Sequence, residues 1–205
     1  MLKLYYSPGS CALASHITLE EAGASYTAER VNFKASQQTT PEYLAINPKG
    51  RVPALVTDHG VLTETPAILT FIAQSAPQAK LLPEGPFVFA QAQSLVSYLC
   101  STVHIAHAHK MRGYRWAVED TSFADMKRKV PETMAASFAL IERDMLKGPW
   151  AMGEQYTICD PYLFTLSGWL EGDGVDLATL PKVAAHRKRM SERPAVQRVL
   201  ADEQG

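Results

Sequence analysis

The sequence predicts a chain of two unlike parts, an α/β N-terminal domain followed by an all-helical C-terminal domain. Three observations carry this. Short strand and helix patterns alternate over residues 1–80. A Pro- and Gly-rich stretch, "LLPEGPF" at 81–87, interrupts them and reads as a linker. Over 88–205 apolar residues recur at helical spacing and strand signals largely stop. With 205 residues, 46% of them hydrophobic and 20% charged, the chain is long and apolar enough to bury a real core.

Taken in order, "LKLYY" reads as a strand, with Leu2, Leu4 and Tyr6 alternating against Lys3 and Tyr5. After the Pro8-Gly9 turn a helix is expected from about Ser10 to Ala22, with Leu13, Ile17 and Leu19 broadly on one side and Gly23 as its stop. "SYTAERVNF" supplies a second strand and completes a βαβ unit. "PEYLAINPKG" is a short helix running into a loop. "RVPALVTDHGVLT" is two strands joined at Asp58-His59-Gly60, with Gly60 suited to the left-handed position of a three-residue hairpin loop. In "ETPAILTFIAQSAP", a helix, Thr65 fits the N-cap and Pro66 the first helical position, while Ile68, Leu69 and Ile72 share a face. The order βαβ, loop, ββα has a thioredoxin-like character. Further helices are expected at roughly 88–117, 123–147 (with Pro131 starting or kinking a helix), 157–170 and 181–203. Thr157 and Asp160 form an S/T-x-x-D capping box, a folding signal for the helical half.

Several classes of function are disfavoured. A net charge of -1 makes no electrostatic case for nucleic acid or an acidic membrane as partner. No apolar stretch approaches the ~20 residues that span a bilayer. "MLKLYYSPGS" lacks the marks of a secretory signal. Cys11, Cys100 and Cys159 are odd in number and far apart, suggesting neither a disulfide framework nor a four-cysteine zinc site. A reducing cytoplasm is the expected compartment.

The chemistry centres on Cys11, where the first strand gives way to a helix. That place suits either a small buried hydrophobe or a thiol whose thiolate form is favoured by the helix dipole and free N–H groups. Ser10 and Tyr6 are nearby hydroxyl donors for a sulfur anion, although taken alone they read first as a cap and a core-edge residue; Tyr5 faces the other way and reads as structural. Pro53, opening a strand after Val52, points either to an edge or to a cis peptide. Glu64 and Thr65 stand at a helix N-terminus, able to meet an ammonium and a carboxylate respectively, or to be a plain cap with a preceding acid. His104 and His107 are three apart on one helix face and His109 points elsewhere; with no convincing third ligand, a polar cluster facing a cleft is favoured over a metal site. Lys110, Arg112 and Arg115 read as a solvated basic flank, Cys100 and Cys159 as structural.

Together "KLYYSPGSC", "YLAINPKGRVPAL", "LTETPAIL" and "TICDPYLFTLSGW" resemble the soluble glutathione transferase family, specifically its bacterial beta class, in order and spacing over essentially the whole chain. The resemblance implies a thioredoxin-like domain that binds glutathione, an all-helical domain that holds the acceptor, and a homodimer. It implies that Pro53 is cis, that Val52 pairs with the cysteinyl part of glutathione, and that Glu64 and Thr65 hold its γ-glutamyl group. It aligns Cys11 with the class cysteine beside the glutathione sulfur and His104 with a site histidine. Lys34 becomes a candidate for the glycyl carboxylate, and Ser97 and Ser101 face the same cleft by spacing. The sequence departs from the class in having Ile105 where a Lys often follows the site histidine, Ser97 in place of an asparagine, and extra histidines at His107 and His109.

The implied activity is transfer of the glutathione thiolate to electrophilic, mainly apolar compounds, with Cys11, Ser10, Tyr6 and His104 as the catalytic set and His107, Tyr114 and Trp116 on the acceptor side. Glutathione is then a substrate, and no metal is called for. Two alternatives stand beside it: thiol–disulfide exchange in which Cys11 itself attacks a disulfide, and a non-enzymatic binding protein on the same fold.

Overall fold

The computed structural model describes residues 1–204. Its N-terminal part is a four-stranded mixed sheet of order β2-β1-β3-β4, built from β1 (Leu2–Tyr6), β2 (Tyr26–Arg30), β3 (Ala54–Thr57) and β4 (Gly60–Thr63). β1 runs parallel to β2, with Leu2 opposite Tyr26, and antiparallel to β3, with Leu4 opposite Leu55. The parallel pair requires a crossover, which α1 (Ala12–Glu21) provides; α2 (Pro41–Ile46) and α3 (Thr65–Ser75) complete this part. This is the thioredoxin-like arrangement that the element order predicts.

The remainder is helical: α4 (Pro86–Tyr98), a π-helical turn (Leu99–Val103), α5 (His104–Ala108), α6 (Asp120–Leu140) ending in a second π-helical turn (Ile141–Met145), α7 (Cys159–Ser167), α8 (Pro181–Ser191) and α9 (Pro194–Gln204). Among the described residues no helix is long and apolar enough to cross a membrane.

Local expectations need correction at several points. The β3–β4 loop has two residues, Asp58 and His59; Gly60, at φ +123°, already pairs with Thr57 as the first residue of β4. The Thr57 hydroxyl closes the turn, donating to Gly60 O at 2.8 Å and accepting from His59 N at 3.0 Å. α1 has no apolar side, because Ala12 through Leu19 are all buried between β1, α3, α7 and α9. Thr65 is the first residue of α3 and Glu64 takes the capping position, at φ +74°. The expected helix over 88–117 ends at Ala108, α6 runs through Pro131, and the expected last helix divides into α8 and α9.

α7 is buried along its whole length. Its N-terminal amides and its flanking loop therefore need partners from within the protein. Thr157 supplies them for the helix's own first amides, and Asp160, fully buried, supplies them for the flanking loop. It accepts from Thr157 N (2.7 Å), from Ala151 N (2.7 Å) and from His186 Nε2 of α8 (2.9 Å), while Thr157 Oγ1 accepts from Cys159 N at 3.3 Å. The capping box thus also ties a loop and a second helix to α7. Replacing Asp160 with Ala strands two backbone amides and an imidazole in the interior, and should lower stability by about 3–5 kcal/mol in a denaturant titration. A loss below about 1 kcal/mol would contradict this role.

Candidate functional site

A cleft of about 1000 Å³ lies between the β1–α1 turn, the loop before β3 and the N-terminus of α3 on one side, and the π turn, α5 and the following segment on the other. It brings together Ser10, Cys11, Val52, Pro53, Glu64, Thr65, Ser101, His104, His107, Tyr114 and Trp116. Tyr6, Lys34 and Ser97 are not on its wall.

The β1–α1 turn is held from both ends of one peptide unit's neighbourhood. Gly9, at φ +71°, donates its N–H to Glu203 Oε2 of α9 (3.4 Å) and accepts at its carbonyl from Trp169 Nε1 (3.0 Å). Ser10 acts as a cap: its hydroxyl donates to Ser7 O at 2.6 Å and accepts from Ala12 N at 3.2 Å. Its single hydrogen is therefore already engaged and is not directed to a sulfur anion.

Cys11 follows in helical conformation, and its thiol is buried, donating to Val52 O at 3.5 Å. Burial pushes this thiol up to about 11; the Thr65 hydroxyl and the Arg112 charge pull the other way and are outweighed. Position at the start of α1 left a small buried residue and a thiolate both open; desolvation favours the buried, protonated thiol.

The Val52-Pro53 bond is cis. The preceding carbonyl, Arg51 O, is held by Tyr43 OH (2.7 Å) and Asn47 Nδ2 (2.6 Å), which fixes the loop leading to it. Glu64 adopts a left-handed backbone that non-glycine residues rarely occupy, at a cost of order 1–3 kcal/mol. Its carboxylate pairs with Lys49, whose ammonium also donates to Thr63 Oγ1 at 2.8 Å. Thr65 is buried beside it.

On the helical side, burial first, and then the charges of His107, Arg112, Arg115 and Arg51, depress His104 to about 4, leaving a neutral imidazole near neutrality. His107 stacks on Trp169 (centroids 4.1 Å apart, planes at 24°) and donates from Nδ1 to the buried Asp173 Oδ2 at 2.6 Å. Its role is accordingly to brace Trp169, while His109 packs edge-on against Trp116. Lys110 also reaches Asp173 Oδ1 at 3.2 Å, and Arg112 and Arg115 line the cleft. The basic run is therefore not a solvated flank. Among the described residues no three His, Cys, Asp or Glu side chains gather into a group suited to a metal ion.

The residues outside the cleft have local reasons to be there. Tyr6 packs against His16 (centroids 5.1 Å apart) and lines a separate hollow that includes Asp202. Lys34 is exposed on a short 3₁₀ turn, Phe33–Ala35, of which Phe33 is the residue that reaches the cleft. Between Ser97 and His104 the π turn closes with His104 N donating to Leu99 O. Its wider turn shifts the angular spacing, so that Ser97 faces solvent while Cys100 joins Ser101 and His104 on the wall.

With this geometry in place, the comparisons with known proteins can be read. The N-terminal-domain model of the glutathione S-transferase family matches residues 1–74. The glutathione S-transferase GstA of Escherichia coli O157:H7 is 34% identical over 205 residues, covering 98% of each chain. The chain belongs to the glutathione S-transferase family. A solved glutathione transferase homologue from Sulfitobacter, with bound glutathione, superposes with a TM-score of 0.97 at 49% identity, covering 98% of each chain. The bacterial beta class glutathione S-transferase of Sphingomonas chungbukensis gives 0.86 at 33% identity, with 98% of each chain covered.

Within this glutathione S-transferase fold, several cleft residues carried no readable signal. Tyr162 is fully buried, lines the cleft, and has no hydrogen-bond partner for its hydroxyl among the described residues. It lies two positions after Asp160, in a stretch whose pattern reads as a folding signal only. Trp169 and Glu203 act on the Cys11 turn from distant sequence. Lys49 and Arg51 stand inside the quoted "NPKGR" motif, where their charge was the available clue.

Two measurements check these assignments. Because the folded chain holds His104 well below 6.5, the unfolded chain takes up that proton first as pH falls. The His104 contribution to stability is therefore fully present above about 6.5 and is lost toward about 4. His104→Asn should flatten denaturation midpoints across that interval; a profile identical to wild type would refute the neutral assignment. In a Cys100→Ser, Cys159→Ser background, iodoacetamide should label Cys11 at neutral pH about 100-fold more slowly than an unperturbed cysteine. Labelling as fast as a free thiol, read by mass spectrometry, would contradict its burial.

Proposed function

We propose that this family member conjugates the glutathione thiolate to electrophilic compounds with an apolar body. The observation that carries the reading is the pairing, across one cleft, of an amino-acid-binding end with an open apolar wall. Glu64 offers a carboxylate to the γ-glutamyl ammonium, in competition with Lys49, and the first amides of α3 offer donors to its carboxylate. Val52 offers backbone groups to the cysteinyl residue. Ile105, Tyr114 and Trp116 are all exposed on the opposite wall.

In this reading the glutathione sulfur lies by Cys11, with Tyr162 as the hydroxyl that stabilises it and His104 as a neutral hydrogen-bonding group. A Cys11 thiol that stays protonated near neutrality shapes the sulfur position and does not attack. Substitution then forms a carbon–sulfur bond while the leaving group departs with its electron pair. Thiol–disulfide exchange is the second reading, favoured by one observation: two thiols, Cys11 and Cys100, line the same cleft. We further propose that residues 1–80 carry glutathione, 81–87 join the parts and 88–205 carry the acceptor wall, in a cytoplasmic homodimer. The dimer is supported by apolar side chains left in solvent, Phe87 (74% exposed) and Val88 on α4 and Val61 on β4.

The test compares wild type, Cys11→Ala and Tyr162→Phe with glutathione and either a chlorodinitrobenzene or a mixed disulfide. Cys11→Ala should keep conjugation within about tenfold, and Tyr162→Phe should lower its kcat about tenfold, the effect of one hydrogen bond to a charged sulfur. Loss of disulfide turnover alone in Cys11→Ala would favour the second reading. Absence of both activities and of retention on a glutathione column would overturn both, in favour of a different role for the fold.

A further inference from the structure

We propose that the cleft contains an anion-binding subsite formed by Arg51, Arg112 and Arg115, and that the preferred co-substrate carries a carboxylate on its apolar body. This rests on the glutathione-conjugating reading above and names the class of acceptor.

The three guanidinium groups reach one cleft from separate places, Arg51 from the loop before β3 and Arg112 and Arg115 from the segment after α5. Arg128, Arg143, Arg187, Arg193 and Arg198 each hold an Asp or Glu side chain. Among the described residues Arg51, Arg112 and Arg115 hold none; of the other two without such a partner, Arg30 and Arg189, neither lines the cleft. The one carboxylate on the cleft wall, Glu64, faces Lys49 and, in the reading above, the glutamyl ammonium, so it does not neutralise the three arginines. The guanidiniums are also close enough to repel one another: the charged form of Arg115 is disfavoured by its partial burial and by the charges of Arg51 and Arg112. Like charges gathered without counter-charge in a partly desolvated cleft raise the local potential and favour an anion there.

Glutathione does not use up this charge. It carries two carboxylates and one ammonium, and its glutamyl end is matched by Glu64 and the start of α3. Its glycyl carboxylate can engage one of the three guanidiniums, or share two. At least one remains for the second substrate. The segment from Arg112 to Trp116 places Arg112 and Arg115 beside Tyr114 and Trp116, so a carboxylate and an aromatic or unsaturated body are met together. Guanidinium binds a carboxylate through paired N–H donors, which gives direction as well as charge.

The experiment measures kcat/KM for a chlorodinitrobenzoate and for its uncharged carboxamide, at saturating glutathione, in wild type, Arg112→Gln, Arg115→Gln and Arg115→Lys. Wild type should prefer the benzoate beyond the ratio of the two uncatalysed rates. That preference should fall about tenfold in each Gln variant, recover in part with Lys, and shrink with added salt. An unchanged preference in both Gln variants would overturn the proposal. So would a rise confined to the KM for glutathione, which would make the cluster a site for the glycyl carboxylate alone. If wild type conjugates neither acceptor, the underlying reading fails, and calorimetric titration with a chlorine-free nitrobenzoate and its carboxamide decides the subsite separately. Tighter benzoate binding that is lost in the Gln variants supports it; equal binding of the two overturns it.

Discussion

A helix buried on every side must find partners for its own start: α7 finds them in Thr157, and Thr157 together with the neighbouring loop is held by the Asp160 carboxylate. That group reconciles a wholly apolar environment with a chain that enters it from a loop, and the site depends on the result. α7 supports α1 along its length, and α1 begins at the Cys11 turn. The same helix delivers Tyr162 to the cleft between the two parts. A carboxylate remote from Cys11 therefore helps to fix how Tyr162 stands relative to the Cys11 turn. Its partner His186 extends this to α8, so the helical half is fastened at one buried point.

Around the cleft, burial and charge work in opposite directions on different groups. Desolvation keeps the Cys11 thiol protonated, and desolvation together with a cationic neighbourhood keeps His104 neutral. Cys11 and His104 are thus uncharged hydrogen-bonding groups, while Lys49, Arg51, Glu64, Arg112 and Arg115 bring charge to the same cleft. Such an arrangement gives the cleft an excess of positive charge without an ionised thiol of its own at Cys11.

Much of the fold was legible because its signals are local. Alternation marked β1, Gly23 marked the end of α1, and Pro66 marked the start of α3 to within one position. The same locality explains the cleft residues that spacing found, since Cys11, Val52, Pro53, Glu64 and Thr65 all stand at element ends. What escaped reading depends on tertiary context. Ser97 left the cleft because a π turn altered the helical phase, and Tyr6 left it because α1 and α9 close a different hollow around its ring. Arg112 and Arg115 looked like an ordinary solvated run, since charge alone does not say which way a segment folds. The two readings left open at Cys11 have the same origin: a helix start is visible in sequence, and the depth of burial that decides between them is not.

One of the two holds on Gly9 comes from Glu203, within the last few residues of the chain, and the same carboxylate accepts from His16 at 3.2 Å. α9 is therefore coupled through one carboxylate to the backbone of the Cys11 turn and to α1. Loss of that single carboxylate would free the Gly9 amide and the His16 ring together, so that α9 and the Cys11 turn loosen in one step.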